Sequence, residues 1–238
     1  MLNIIPAILE ADFTEIEAKI NSVLHDTNKI HIDICDGLYV PFKTWPYSES
    51  KNNRINENFH IKNILNEDFG LPNWQDINYE FDLMIQNPNL NKDIWGRIGA
   101  ETLIIHPDTF KDNDTMIDFI HEMNDFMIEV IIAVTYDQYF EYEEILHNLF
   151  TQKNIKSLQI MTIKTIGLQG QKFDDRCVDL LKKIRLDFDG INLRIDGGVS
   201  DKTIDKLLNI PINEYIIGSA IFGSGNAREN LNYFKNLC

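Results

Sequence analysis

The chain has 238 residues, 44% hydrophobic and 11% aromatic, enough apolar material for a full core, which excludes a disordered or low-complexity protein. Its formal charge of −15 argues against non-specific binding of nucleic acid or of an anionic membrane. A small anionic substrate stays open, because backbone N–H groups can hold a phosphate locally.

Cys35, Cys177 and Cys238 are far apart, odd in number and without a C-x-x-C pair. That pattern suits a reducing compartment better than a disulfide framework. The opening MLNIIPAILEADF has no basic stretch and meets Glu10 and Asp12 early, unlike a signal peptide. No apolar run is long enough to cross a bilayer. The expectation is a soluble, cytoplasmic protein.

In chain order, strand-like apolar runs fall at about 2–8, 29–35, 79–85, 101–106, 128–134, 156–162, 191–196 and 213–218. After the first run, Asp12 and Glu15 form a D-x-x-E capping pattern. Phe13, Ile16, Ile20, Val23 and Leu24 then recur at helical spacing. The second run, KIHIDIC, alternates Ile30, Ile32 and Ile34 with His31, Asp33 and Cys35. Residues 43–78, rich in Asn, Asp and Pro, are an enlarged connection with one helix expected around 55–66. Segments 112–126, 137–150, 174–187 and 226–237 carry helical periodicity, and Ser200 is a candidate N-cap ahead of Ile204, Leu207 and Leu208. Eight strands alternating with helices in one domain, 1–238, predict a (β/α)₈ barrel; a doubly wound sheet would give the same alternation.

Barrel catalysis sits at the C-terminal strand ends. There, alternation turns Asp33, Asp82 and Asp196 inward with His31. Three carboxylates at close range need a cation to stay ionised together. Oxygen ligands with one imidazole suit Zn²⁺, Mn²⁺ or Fe²⁺. Read singly, each acid could equally serve a turn or a salt bridge. Glycines at GLQGQ (167–171), Gly197-Gly198 and Gly218-Ser219 follow strands six, seven and eight, where such barrels often bind phosphate.

These stretches resemble the ribulose-phosphate 3-epimerase family and its hexulose-phosphate relatives. The matching motifs are PAILEADF at 6–13, HIDICDGLYVP at 31–41, DLMIQNP at 82–88 and IIHPDT at 104–109. GLQGQKF at 167–173, RIDGGV at 194–199 and IIGSAIFG at 216–223 complete them. The resemblance implies a (β/α)₈ barrel of the ribulose-phosphate-binding type, working as an isomerase of the pentose phosphate pathway on a sugar phosphate. It implies one divalent ion (Zn, Mn, Fe or Co) held by His31, Asp33, Asp82 and Asp196. Asp33 and Asp196 would also be the proton-transfer pair that inverts C3 of a ketose phosphate, by default D-ribulose 5-phosphate. Met84 and Met161 match pocket-lining methionines, although core filling explains them nearly as well. Gly167, Gly170, Gly197, Gly198, Gly218 and Ser219 would hold the phosphate, and a homo-oligomer is implied.

The chain also departs from the family. Asp82 stands where a second metal histidine is expected, Ala7 replaces a serine, Leu38 a histidine, and Lys164–Gln171 replaces the usual phosphate loop. A non-catalytic sugar-phosphate-binding barrel and an epimerase for a hexulose phosphate remain alternatives. Related decarboxylase and synthase barrels carry a D-x-K-x-x-D pattern; the corresponding Asp33–Asp36 stretch lacks the lysine.

Overall fold

The computed structural model describes residues 1–168 and 170–237. Two residues singled out in the sequence, Gln169 of GLQGQ and Cys238, lie outside the described residues. The strands are β1 (Ile4–Ile8), β2 (Lys29–Cys35), β3 (Asn78–Met84), β4 (Ala100–Ile105), β5 (Glu129–Thr135), β6 (Ser157–Met161), β7 (Asn192–Asp196) and β8 (Glu214–Ile217). They are linked in chain order into one closed parallel sheet, a (β/α)₈ barrel. Each expected strand is present, its ends within about two residues of those predicted.

Between the strands lie α1 (Phe13–Val23), α2 (Phe59–Leu65), α3 (Lys92–Arg97), α4 (Asn113–Asp125), α5 (Tyr136–Thr151) and α6 (Cys177–Asp187). The short α7 (Ser219–Phe222) and then α8 (Ala227–Lys235) follow β8. Their starts follow local chemistry. The side chains of Asp12, Asn58 and Asp112 accept N–H groups in the first turns of α1, α2 and α4. Thr135 and Gln138 close a capping box on α5, and such caps contribute about 0.5–2 kcal/mol each. The helix expected after Ser200 is shortened to a 3₁₀ turn at Ile204–Lys206. Pro211 lacks an N–H and disfavours a helical Ile210, which limits any helix in the segment before β8.

The chain divides into two compact units, Met1–Pro6 with Ile131–Cys238 (unit 1) and Ala7–Val130 (unit 2). In unit 2, parallel register sets His31 beside Glu80, Asp33 beside Asp82 and Cys35 beside Met84. Glu80 in turn pairs with Thr102 and Asp82 with Ile104. The opposite faces carry Ile30, Ile32, Ile34, Tyr79, Phe81, Leu83, Leu103 and Ile105, all buried. Both faces are therefore covered, as in any all-parallel sheet, and the polar row of β2 is not a solvated edge. Within the enlarged connection at 43–78, Trp45, Tyr47, Ile55, Ile61, Ile64 and Leu71 are buried, and Trp45 packs on Phe13 of α1. In unit 1, register sets Gln159 beside Arg194, and Met161 beside Asp196. No helix among the described residues is long and apolar enough to cross a membrane.

Candidate active site

The period of two along β2 puts His31 and Asp33 on one face, about 6.6 Å apart along the strand. Rotation of the side chains brings His31 Nε2 to 3.3 Å from Asp33 Oδ1 and 3.6 Å from Asp82 Oδ2. On the other side of the ring, His31 Nδ1 lies 2.7 Å from Glu80 Oε1, and Glu80 Oε2 is 3.2 Å from Lys29 Nζ. Asp82 Oδ1 is 2.8 Å from His106 Nε2. His31, Glu80, Asp82 and His106 are wholly buried, and Asp33 is 7% exposed.

Burial in this row is costly for every charge, and the partners decide the outcome. Burial alone would lower the His31 pKa, but hydrogen bonds that the ring donates to Asp33, Asp82 and Glu80 outweigh it and raise it. For Asp33 burial dominates and the pKa rises, opposed by His31. Asp82 has the same burial, yet His106 and His31 hold it below the usual carboxylate range. Neighbouring acids are thus pushed apart by their surroundings.

The expected residues of unit 2 are brought together: His31, Asp33 and Asp82 each offer a ligand atom within 4.8 Å of the others. Four further residues that shape the site escaped the sequence reading. Glu80 sits two positions before Asp82 on the same face of β3, so the alternation in YEFDLM was its available signal. His106 directly follows β4 in IIHPDT. The Thr44 hydroxyl donates to the Asp33 carbonyl at 2.7 Å and accepts the Cys35 N–H at 2.8 Å, pinning the end of β2. Asp36 accepts N–H groups from Leu38, Tyr39 and Gln86, which ties the loops after β2 and β3. For Thr44 and Asp36 no sequence pattern announced the role.

The donor chemistry fits a divalent ion. With Nδ1–H given to Glu80, the Nε2 side of His31 faces two carboxylate oxygens. Ligands bound about 2.1 Å from one ion are separated by roughly 3.0–3.4 Å, close to the 3.3 and 3.6 Å seen between His31 Nε2 and the oxygens of Asp33 and Asp82. A carboxylate beneath the histidine, here Glu80, is the usual outer support of such a ligand. Met84 follows Asp82 on the same face of β3 and is buried.

In unit 1, Asp196 ends β7 and is half-buried. Its backbone carbonyl accepts the N–H and hydroxyl of Thr162, at 2.6 and 3.1 Å. Met161, its register partner, is buried. Gly197 and Gly198 have φ of +102° and +68°. A Cβ on Gly198 would lie 2.7 Å from the backbone N and Cα of Phe173, so the loops after β6 and β7 meet in a contact that only glycine permits. Gly167 is buried and Gly170 exposed, both at positive φ. Gly218 precedes α7, and Ser219 opens it. Ser219 also lines a cavity of about 460 Å³ with Ser200, Asp201, Ser224, Asn230 and Tyr233. The glycine pair does not border that cavity.

Comparison with known proteins agrees with this architecture. Residues 3–222 match the Ribulose-phosphate 3 epimerase family. The chain is 23% identical to the ribulose-phosphate 3-epimerase of Schizosaccharomyces pombe over 98% of this chain and 92% of that protein. It is 24% identical to the ribulose-phosphate 3-epimerase of Bacillus subtilis over 99% of each. Among solved structures, 3-hexulose-6-phosphate synthase from Salmonella typhimurium superposes with a TM-score of 0.65 at 14% identity, covering 97% of this chain and 95% of that one; at that identity the likeness shows the fold alone. The match over nearly the whole length places the chain, an isomerase of epimerase type, in the ribulose-phosphate 3-epimerase family.

Proposed function

We propose that the protein inverts C3 of a ketose phosphate, interconverting D-ribulose 5-phosphate and D-xylulose 5-phosphate, with Asp33 and Asp196 as acid and base. The observation that carries this reading is the buried meeting of His31 Nε2 with Asp33 Oδ1 and Asp82 Oδ2. Inversion next to a carbonyl requires a proton to leave one face of C3 and another to arrive on the opposite face. One carboxylate takes the C3 proton, the C–H electron pair forms the C2=C3 bond, and the carbonyl oxygen gains the negative charge. The second, protonated carboxyl then returns a proton from the far side, which regenerates the C2 carbonyl. Two groups are needed because one carboxylate cannot reach both faces.

In this proposal His31, Asp33, Asp82 and Asp196 would hold a divalent ion, which when bound supplies positive charge beside the carbonyl oxygen as negative charge develops there. Glu80 holds the ring of His31, and Thr44 fixes the backbone that carries Asp33. In this proposal the glycines at 167, 170, 197, 198 and 218, with Ser219, present backbone N–H groups to the phosphate, and Met84 and Met161 exclude water from the sugar. A homo-oligomer in the cytoplasm belongs to the same proposal.

The test is direct. Purified protein supplied with Mn²⁺, Zn²⁺, Co²⁺ or Fe²⁺ converts D-ribulose 5-phosphate to D-xylulose 5-phosphate, followed by NMR. Absence of conversion across pentulose and hexulose phosphates, with tight binding retained, would favour a barrel that binds sugar phosphates without turnover.

A further inference from the structure

We infer that His106 is a positioning residue for Asp82: it holds one carboxylate oxygen and so presents the other to the ion. The inference rests on the metal reading just given and deepens it. Asp82 stands where the family pattern expects a histidine, and an aspartate there raises a problem of direction. A carboxylate turns broadly about χ2 and can bind an ion through either oxygen or both. In this chain the two oxygens are divided: Oδ1 lies 2.8 Å from His106 Nε2, and Oδ2 faces His31 Nε2 at 3.6 Å. An ionised carboxylate can only accept, so Nε2–H of His106 donates.

His106 is well placed to impose that division. It directly follows the last residue of β4, is wholly buried, and its carbonyl accepts the backbone N–H and the hydroxyl of Thr109 at 3.1 and 2.6 Å. The ring of Tyr39 packs beside it, centroids 5.5 Å apart, and the Tyr39 hydroxyl donates to Asp108 at 3.0 Å. The imidazole is thus fixed from its backbone and from one flank. A carboxylate backed by an imidazole is the converse of the Glu80–His31 pair, where an imidazole is backed by a carboxylate. Outer-shell partners of this kind typically change metal affinity when removed.

The experiment titrates metal-free protein with Mn²⁺, using calorimetry for affinity and elemental analysis for stoichiometry. Wild type is compared with His106→Phe, which keeps a ring but no donor, and His106→Gln, which keeps an N–H donor. The expected result is one ion per chain, weakened about 10- to 100-fold in His106→Phe and by no more than about threefold in His106→Gln. Thermal unfolding of the metal-free forms shows whether each variant is folded, and His106→Ala takes the place of His106→Phe if the phenyl ring is not accommodated. Equal affinity in all three proteins overturns the inference and leaves the metal reading intact. Equal and complete loss in both variants also overturns it, because a retained donor then gives no rescue. A wild type that binds no Mn²⁺, Zn²⁺ or Co²⁺ defeats the metal reading itself, and the inference falls with it.

Discussion

Thr44→Val isolates the link between the enlarged connection and the candidate site. The substitution is nearly isosteric, so no cavity forms, and only the hydroxyl is lost. That hydroxyl donates to the Asp33 carbonyl at 2.7 Å and accepts the Cys35 N–H at 2.8 Å, with Thr44 only 2% exposed. Losing a neutral hydrogen bond costs about 1 kcal/mol, and a buried N–H left without an acceptor costs about 1–3 kcal/mol. The expected loss is therefore about 2–4 kcal/mol, or roughly 4–16 °C in Tm for a chain of this length. Because the same hydroxyl holds the carbonyl of Asp33, kcat/KM should fall by about tenfold or more as the carboxylate is displaced. Urea unfolding and steady-state kinetics measure the two effects. Thr44→Ser, which keeps the hydroxyl, should recover most of both. A Thr44→Val protein within about 0.5 kcal/mol of wild type, the scatter of ordinary surface changes, would refute the reasoning. So would a serine variant as impaired as the valine one.

Two further outcomes follow from local geometry. Gly198→Ala combines a left-handed φ of +68° with a Cβ 2.7 Å from the backbone of Phe173. The conformation alone costs about 1–2 kcal/mol for alanine and the backbone contact adds to it, so the urea midpoint should drop clearly; an unchanged midpoint would contradict the loop geometry. Arg176 donates to Asp174 and to Asp137, and its guanidinium beside Asp174 holds that carboxyl below its usual range. A depressed folded pKa contributes stability above the unfolded value, near 3.9, and that stability is lost as pH falls through the folded pKa. The stability difference between wild type and Arg176→Met should thus be full above about pH 5 and shrink toward pH 3. A difference that stays constant with pH would show that the pair is not the source.

Most of the barrel was legible because apolar strand runs alternate along the chain with helical segments. The row Ile30, Ile32, Ile34 fixed one face of β2, and with it the inward direction of His31 and Asp33. The same period turned Asp82 inward, and the structure sets it beside Asp33 in register. What a period of two cannot show is which inward residues touch. Glu80 and His106 shared the inward face, yet their contacts with His31 and Asp82 depend on register between strands and on rotamers. Thr44 and Asp36 act from irregular loops, where no periodicity exists to read. The Ser200 segment misled for the opposite reason: its apolar spacing is helical, but Pro211 and the short path to β8 override local preference.

In the proposed mechanism Asp33 and Asp196 serve opposite faces of one carbon. Wash-in of solvent deuterium at C3, followed separately from each epimer in D₂O, tests it most directly. Asp33→Asn should exchange the C3 proton of one epimer and not the other, Asp196→Asn should show the reverse, and neither should interconvert the two. If one variant loses exchange from both epimers while the other keeps both, a single group serves both faces and the two-carboxylate mechanism is contradicted.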